Sequence, residues 1–326
     1  MARVIVTGGS GFIGTALVSA LRADGHQATN LDIAEVRDPT SSGWRADVDI
    51  MDRPGLADAF GRLRPDAVCH LAARTDIDGR LVEEYRTNTE GTANVLNAAH
   101  AAGARRILLT SSQLVNPLDR VPADELDVRP PNAYGASKVE AERIIRAAPP
   151  EIQWTIVRPT SIWGPWFGVK YQGLFRTVRR GMYVHPRGRR IRKAWGYVGN
   201  AAHDISRLLF TPHAAGRTLY LSDAEPYDLL EFAREIREAW DAWPVRQVPL
   251  PLLRTIALAG DAAMAAGVRF PLHSYRLRNM LIDMEVPTDD LRSLCGPQPF
   301  TRREGVRETV AWMAANPGFS RDVSLH

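Results

Sequence analysis

Tyr134 and Lys138 stand four residues apart in Tyr134-Gly135-Ala136-Ser137-Lys138. On a helix that spacing puts the phenol and the ammonium on one face. A tyrosine has a pKa of about 10 and is a poor base near neutrality. A neighbouring cation favours the phenolate and lowers that value. Tyr134 in this setting can take the proton from a substrate hydroxyl. A second pair, Ser111-Ser112, follows the apolar run Arg105–Thr110. A hydroxyl at the end of such a run can hydrogen-bond the reacting oxygen and turn it toward the tyrosine. Ser112 is the candidate for that contact, with Ser111 in support. Tyr134, Lys138 and Ser112 together suit oxidation of a carbinol, which also requires an acceptor for hydride.

The N-terminal motif supplies a place for one. Thr7-Gly8-Gly9-Ser10-Gly11-Phe12-Ile13-Gly14 follows the short apolar run Arg3–Gly8 and opens a segment of helical period. Gly8 permits the tight turn, Gly11 lets the backbone approach a diphosphate, and Gly14 lets the helix pack close to the strand. The N–H groups and dipole of the helix start, at Phe12 and Ile13, favour phosphate. Asp32 lies near the end of the next strand-like run, where a carboxylate accepts from both ribose hydroxyls. It would repel a 2′-phosphate, and Ile33-Ala34 add no cation, so NAD is expected rather than NADP. Asp47 and Val48, closing a third strand, suit an adenine contact. Leu71, Ala72 and Ala73 end a fourth and are candidate cofactor contacts, the small Ala72 and Ala73 leaving room for the dinucleotide. Lys138 would also hold the nicotinamide ribose, and the cationic ring would further favour the phenolate.

Alternating strand and helix signals position these groups. Strands are expected at Arg3–Gly8, Gln27–Ile33, Trp44–Val48, Ala67–Ala73, Arg105–Ser112 and Gln153–Ile162. Helices are expected at Gly11–Asp24, Pro54–Leu63, Leu81–Ala102 and Asn132–Ala148. The pattern predicts an α/β fold: a Rossmann-type doubly wound parallel sheet over residues 1–165. A smaller irregular substrate-binding region is expected over 166–326, with strand returns from about 195–225, Thr218–Ser222 among them. Helices Tyr227–Trp240 and Glu308–Asn316 stand out there. His203-Asp204 reads as a surface pair on a helix.

The chain has 326 residues, 45% hydrophobic and 24% charged, as a globular enzyme with ample core requires. Its net charge is +4, yet Lys170 to Lys193 holds nine Lys/Arg and no acid, while the rest carries an excess of acids. That run suits a polyanion, and a diphosphate group fits better than nucleic acid, for which no motif is present. Cys69 and Cys295 lie far apart and outside any CxxC or Cys/His cluster, so neither a disulfide framework nor a metal site is expected. Met1-Ala2-Arg3 runs straight into a strand with no secretion signal before it, and a cytoplasmic enzyme is expected. No apolar run reaches the ~18 residues of a membrane span. The nearest, 247–268, is interrupted by Arg254 and Asp261 and reads as a core or interface helix, with a membrane-surface helix as the alternative.

In these residues the sequence resembles the extended short-chain dehydrogenase/reductases, the family of UDP-galactose 4-epimerase-like NAD-dependent epimerases and dehydratases. Thr7–Gly14 is similar to the family's TGxxGxxG, and Tyr134/Lys138 to its YxxxK. Asn88-Thr89-Glu90-Gly91-Thr92 is similar to its Asn-x-x-Gly-Thr helix signature. Arg158 to Pro165 resembles the segment lining the sugar site, Tyr197-Val198-Gly199-Asn200 the segment usually read Val-Asp-Asp, and Glu304–Trp312 the terminal helix. The resemblance implies cofactor contacts at Asn88 and Pro159 and a sugar contact at Ser161. It implies diphosphate contacts at Arg192 or Lys193 and, by a looser match, at Arg276. A homodimer is also implied.

Gln113-Leu114 replaces the Asp-Glu of the family's dehydratases, and the Glu of its decarboxylases is missing as well. Asn116-Pro117 replaces Tyr-Gly, and Ser161 stands where epimerases often carry Asn. The expectation is an NAD-dependent nucleotide-sugar epimerase working through a 4-keto sugar. The alternatives are a nucleotide-sugar ketoreductase or dehydrogenase, a 3β-hydroxysteroid dehydrogenase-like enzyme, and a dinucleotide-binding redox sensor. The Tyr/Lys pair speaks against the last.

Overall fold

The structure is a computed structural model that describes residues 1–120, 122–268, 270 and 272–316. In chain order it comprises β1 (Arg3–Thr7), α1 (Phe12–Ala23), β2 (Gln27–Leu31), β3 (Arg45–Ala46), α2 (Arg53–Leu63), β4 (Ala67–His70), α3 (Arg86–Ala101), β5 (Arg106–Thr110), α4 (Ala133–Arg146), β6 (Gln153–Pro159) and β7 (Ser161–Trp163). There follow α5 (Gly173–Arg179), β8 (Val184–Pro186), β9 (Arg192–Lys193), β10 (Trp195–Tyr197), α6 (Val198–Phe210), β11 (Arg217–Leu221), β12 (Tyr227–Asp228), α7 (Leu229–Trp240), β13 (Arg246–Val248), α8 (Leu250–Ala265), α9 (Ser274–Leu281), α10 (Asp289–Cys295) and α11 (Arg302–Ala315). The chain divides into two compact units. The first is Met1–Ile162, Gly196–Ala224 and Val286–Phe300; the second is Trp163–Trp195, Glu225–Glu285 and the segment from Thr301 onward.

The first unit is built on a seven-stranded sheet in the order β11-β6-β5-β4-β1-β2-β3, with parallel pairing throughout. Strands such as Val4-Ile5-Val6 are apolar without alternation because both faces are covered. One face packs Ile5, Val68, Ile107 and Ile156 against Leu56, Phe60, Val95, Ala141 and Ile145 from α2, α3 and α4. On the other, α1 lies against α6. The order reverses between β1 and β4, so the carboxyl ends of these strands open a crevice, which in doubly wound sheets is where ligands bind.

Several boundaries differ from the sequence-based expectation. The third strand shrinks to Arg45–Ala46, because Trp44 closes a 3-10 turn capped by the Asp38 carboxylate. The expected helix from Leu81 begins as a 3-10 turn, Val82–Tyr85, before α3. The fourth strand ends at His70, so Leu71 to Ala73 lie just beyond it. Pro159 ends β6, having no N–H to continue the ladder. The last helix starts early, at a capping box in which Thr301 and Glu304 bond reciprocally. The expected return strand is β11, Arg217–Leu221, and it pairs parallel to β6. His203-Asp204 is no surface pair: Asp204 is buried and its carboxylate is paired with Arg292.

The second unit holds an aromatic core. Trp163 lies 5.7 Å from Phe175 and 5.0 Å from Phe232, and Phe232 lies 5.0 Å from Tyr227. Helix α7 packs on α5 and α11, and α8 on α9. Two short strand pairs, β9–β12 antiparallel and β8–β13 parallel, tie the basic segment to the rest.

Candidate active site

Strand β1 delivers the chain into a turn made of backbone. Gly8 sits at φ +71°, and a Cβ there would come within 2.5 Å of the Ala72 nitrogen; one on Gly14 would come within 2.2 Å of the Gly8 carbonyl. Gly11 N-caps α1 and brings no side chain to cap it, and the first N–H groups of a helix lie outside its own hydrogen-bond ladder. Asp32, just past β2, accepts from the N–H of Ser10 and of Ala34, each at 3.0 Å. These bonds hold its carboxylate beside the glycine turn, with acceptor capacity left. The Arg37 Nε donates to the Ser10 carbonyl at 3.0 Å, so a cation does stand near Asp32, reached through a loop. A side-chain-free cradle, an uncapped helix start and an adjacent carboxylate fit a diphosphate flanked by a ribose, as in NAD.

The other proposed dinucleotide contacts behave differently. Ala72 donates its N–H to the Thr7 hydroxyl at 3.3 Å and presses on Gly8. Asp47 is exposed and pairs with Arg45 at 3.2 Å. Val48 packs toward the core. Asn88 is buried, and its amide is fully engaged: it accepts from Arg74 N–H at 2.8 Å and donates to the Arg74 carbonyl at 3.0 Å and to the Ser137 hydroxyl at 2.9 Å. It braces the loop after β4 against α4, a role at odds with direct cofactor contact.

Helix α4 carries Tyr134 and Lys138, both buried. Asn132 caps it by accepting from the Gly135 N–H at 2.8 Å. A Cβ on Gly135 would fall 2.1 Å from the Leu114 carbonyl, so glycine here lets the tyrosine helix close on the turn that bears Ser112. The Lys138 ammonium donates to the Thr110 carbonyl at 3.0 Å, at the end of β5. Burial lowers its pKa to about 8, against the opposing pull of Glu142. The Ser112 hydroxyl accepts from the Leu114 N–H at 3.1 Å, which leaves its proton available to a substrate oxygen. Tyr85 lies beside Tyr134, ring centres 6.0 Å apart.

Ser111 departs from the substrate role expected of it. Its hydroxyl donates to Glu142 at 2.6 Å, and Glu142 is gripped by Arg158 at 2.9 and 2.8 Å. Arg158 is 1% exposed. This buried ion pair ties β5, α4 and β6 together under the Tyr/Lys face. Glu142, Gly135 and His70 escaped the sequence reading. His70 bridges Thr7 at 2.7 Å and Thr92 at 3.0 Å, and burial, with Lys138 nearby, depresses its pKa to about 3.

The glycine turn, Asp32, Ser112, Tyr134 and Lys138 all belong to the first unit, as do Ser161 in β7 and Pro159 closing β6. Arg192, Lys193 and Arg276 belong to the second. There the Lys193 ammonium donates to the Asn279 carbonyl at 3.0 Å and to that of Ile282, and burial lowers its pKa to about 8. Lys193 thus closes the end of α9, a structural duty that competes with phosphate. Arg192 pairs with Glu285 at 3.1 Å. Arg276 is exposed on α9. Among the described residues no group of three His, Cys, Asp or Glu side chains is gathered to hold a metal.

A model of the NAD dependent epimerase/dehydratase family matches residues 4–213. The chain is 31% identical to 3 beta-hydroxysteroid dehydrogenase/Delta 5-->4-isomerase of Mycobacterium tuberculosis, over 96% of this chain and 90% of that one. It is 27% identical to N-acetyl-alpha-D-glucosaminyl-diphospho-ditrans,octacis-undecaprenol 4-epimerase of Escherichia coli O157:H7, over 95% and 94%. Among solved structures it shares its fold with UDP-glucose 4-epimerase of Thermus thermophilus in complex with NAD, at a TM-score of 0.70 and 21% identity, covering 98% of this chain and 100% of that one.

Proposed function

The chain belongs to the NAD dependent epimerase/dehydratase family and is an NAD-dependent enzyme, and from that premise we propose that it epimerises a nucleotide-linked sugar by oxidising and re-reducing one carbinol. One observation carries the reading: Ser112, Tyr134 and Lys138 stand on the carboxyl-end side of β5 and on α4, with Gln113 and Leu114 where a water-eliminating enzyme of this family carries an acid and a base. That set suits alcohol–ketone interconversion. The glycine turn and the start of α1 would hold the diphosphate of NAD, and Asp32 its adenosine ribose. Bound there, NAD supplies an acceptor that takes hydride and can return it to the same carbon. Tyr134 removes the hydroxyl proton and later restores it. Lys138 favours the phenolate, and Ser112 fixes the oxygen. In this reading the second unit, which carries Arg192 and Arg276, is the substrate-binding region.

A second reading is NAD-linked oxidation or reduction of an uncharged secondary alcohol, such as a 3β-hydroxysteroid. It is favoured by the engagement of Lys193 with carbonyls and of Arg192 with Glu285. The test is incubation with UDP-, GDP-, dTDP- and CDP-sugars and catalytic NAD, read by mass spectrometry and NMR. A product of unchanged mass and inverted configuration, with no net NADH, is expected. Net NADH with a steroid or other lipid alcohol, and silence with every sugar, would replace the first reading by the second.

A further inference from the structure

Helix α8 is apolar nearly all round, yet among the described residues only one side of it is buried. Leu253, Ala257 and Gly260 face inward, packed with Leu277 and its neighbours. At 3.6 residues per turn, Leu252, Thr255, Leu258, Ala259 and Ala262 fall on the opposite side, all exposed. Leu252 is 51% and Leu258 64% exposed. A helix with apolar residues on every side is normally buried. Its one acid is withdrawn from that face: Asp261 accepts from the Ser274 N–H at 3.0 Å and from the Ser274 hydroxyl, at the start of α9. The remaining charge on α8 is Arg254. Tyr275 on α9 and Trp243 just before β13, both about as exposed, add aromatic rings in the same unit.

The surroundings of α8 are cationic. It follows directly on β13, which pairs with β8 of the basic segment, and the Arg187 N–H donates to the Val248 carbonyl at 2.8 Å. Arg187 and Arg189 on the turn after β8, Arg246 on β13 and Arg278 on α9 are exposed. The exposed apolar side of α8 can bury its area at the boundary of headgroups and acyl chains, and the arginines around it are drawn to anionic headgroups. A second copy of the chain fits less well, because a two-fold contact through α8 would set the same cationic flank against itself. Among the described residues no helix is long and apolar enough to cross a membrane. We propose that α8 and its arginine flank seat this enzyme on an anionic lipid surface, as a peripheral protein.

The test is flotation of the full chain with phosphatidylcholine vesicles, with and without phosphatidylglycerol, alongside light-scattering measurement of its mass. The protein is expected to float with the anionic vesicles only and to be released by high salt. Leu258→Glu should weaken that partition by at least ~10-fold, and Arg187→Glu with Arg189→Glu should weaken it too. Because Leu258 is exposed, the Glu variant should keep its thermal shift with NAD, which separates a lost docking face from a lost fold. Absence of flotation with anionic vesicles overturns the proposal. So does flotation that ignores both sets of substitutions. A dimer that Leu258→Glu splits, with no vesicle binding, would assign the face to a second copy instead.

Discussion

The two adjacent serines after β5 have opposite uses of the same hydroxyl. Ser112 accepts from Leu114 N–H and keeps a proton to give; Ser111 has already given its proton to Glu142. Ser112→Ala should therefore lower kcat by about 10²- to 10⁴-fold, the range for a group positioned on the reacting oxygen, while stability falls only by the lost cap to Leu114, about 1 kcal/mol. Ser111→Ala should do the reverse, costing about 1–3 kcal/mol of stability from a bond to a buried charge, with a smaller effect on kcat. Steady-state kinetics and urea titration of the two variants check this; equal losses of kcat would merge the roles. His70 makes a prediction about acid. Its folded pKa of about 3 lies below the ordinary value of 6.5, so the unfolded chain binds the proton first. The stability it contributes is full above about pH 6.5 and is lost as pH falls toward 3. His70→Gln should flatten the fall of Tm between those limits; an unchanged profile would show that other groups govern it. Tyr134 and Lys138 were legible together because one helical turn separates them. Glu142 with Ser111, or Lys193 with Asn279, was not, since each partner lies more than 30 residues away.

At the scale of elements, the approach of α4 to the Ser112 turn sets the geometry of the chemistry, and Gly135 sets the approach. Gly135→Ala places a methyl against the Leu114 carbonyl, which is backbone and cannot swing aside. The helix must shift, at a cost of about 1–3 kcal/mol. Turnover should fall by at least ~10-fold, since small displacements of reacting groups are expensive, while NAD affinity stays near that of the wild type. Kinetics beside a binding titration check this, and unaltered turnover would mean that the turn yields freely. Most elements could be read from apolar runs and helical period because the sheet buries both faces. The third strand could be placed but not bounded. Two residues of pairing leave no periodic trace, and the local preference of Pro39 to Trp44 for a capped 3-10 turn decides the segment.

For the whole molecule, the alternation of strand and helix signals predicted the parallel sheet. Its full strand order was less accessible, because β11 joins from residue 217 onward and Val286–Phe300 returns to the first unit from far along the chain. The charge asymmetry was visible in sequence, but the partners of its members were not: Lys193 donates to carbonyls at the end of α9, whereas Arg187 and Arg189 are exposed. Ligand linkage joins fold to site. NAD at 100 times its Kd should stabilise the native chain by about 2.7 kcal/mol, and loss of the Asp32 carboxylate should reduce that gain.

The most direct measurement combines this linkage with catalysis in Tyr134→Phe. The variant is expected to keep the NAD-induced rise in Tm and to lose nearly all turnover on whichever substrate the wild type uses. Turnover close to that of the wild type, with NAD binding intact, would contradict it and remove Tyr134 from the chemistry.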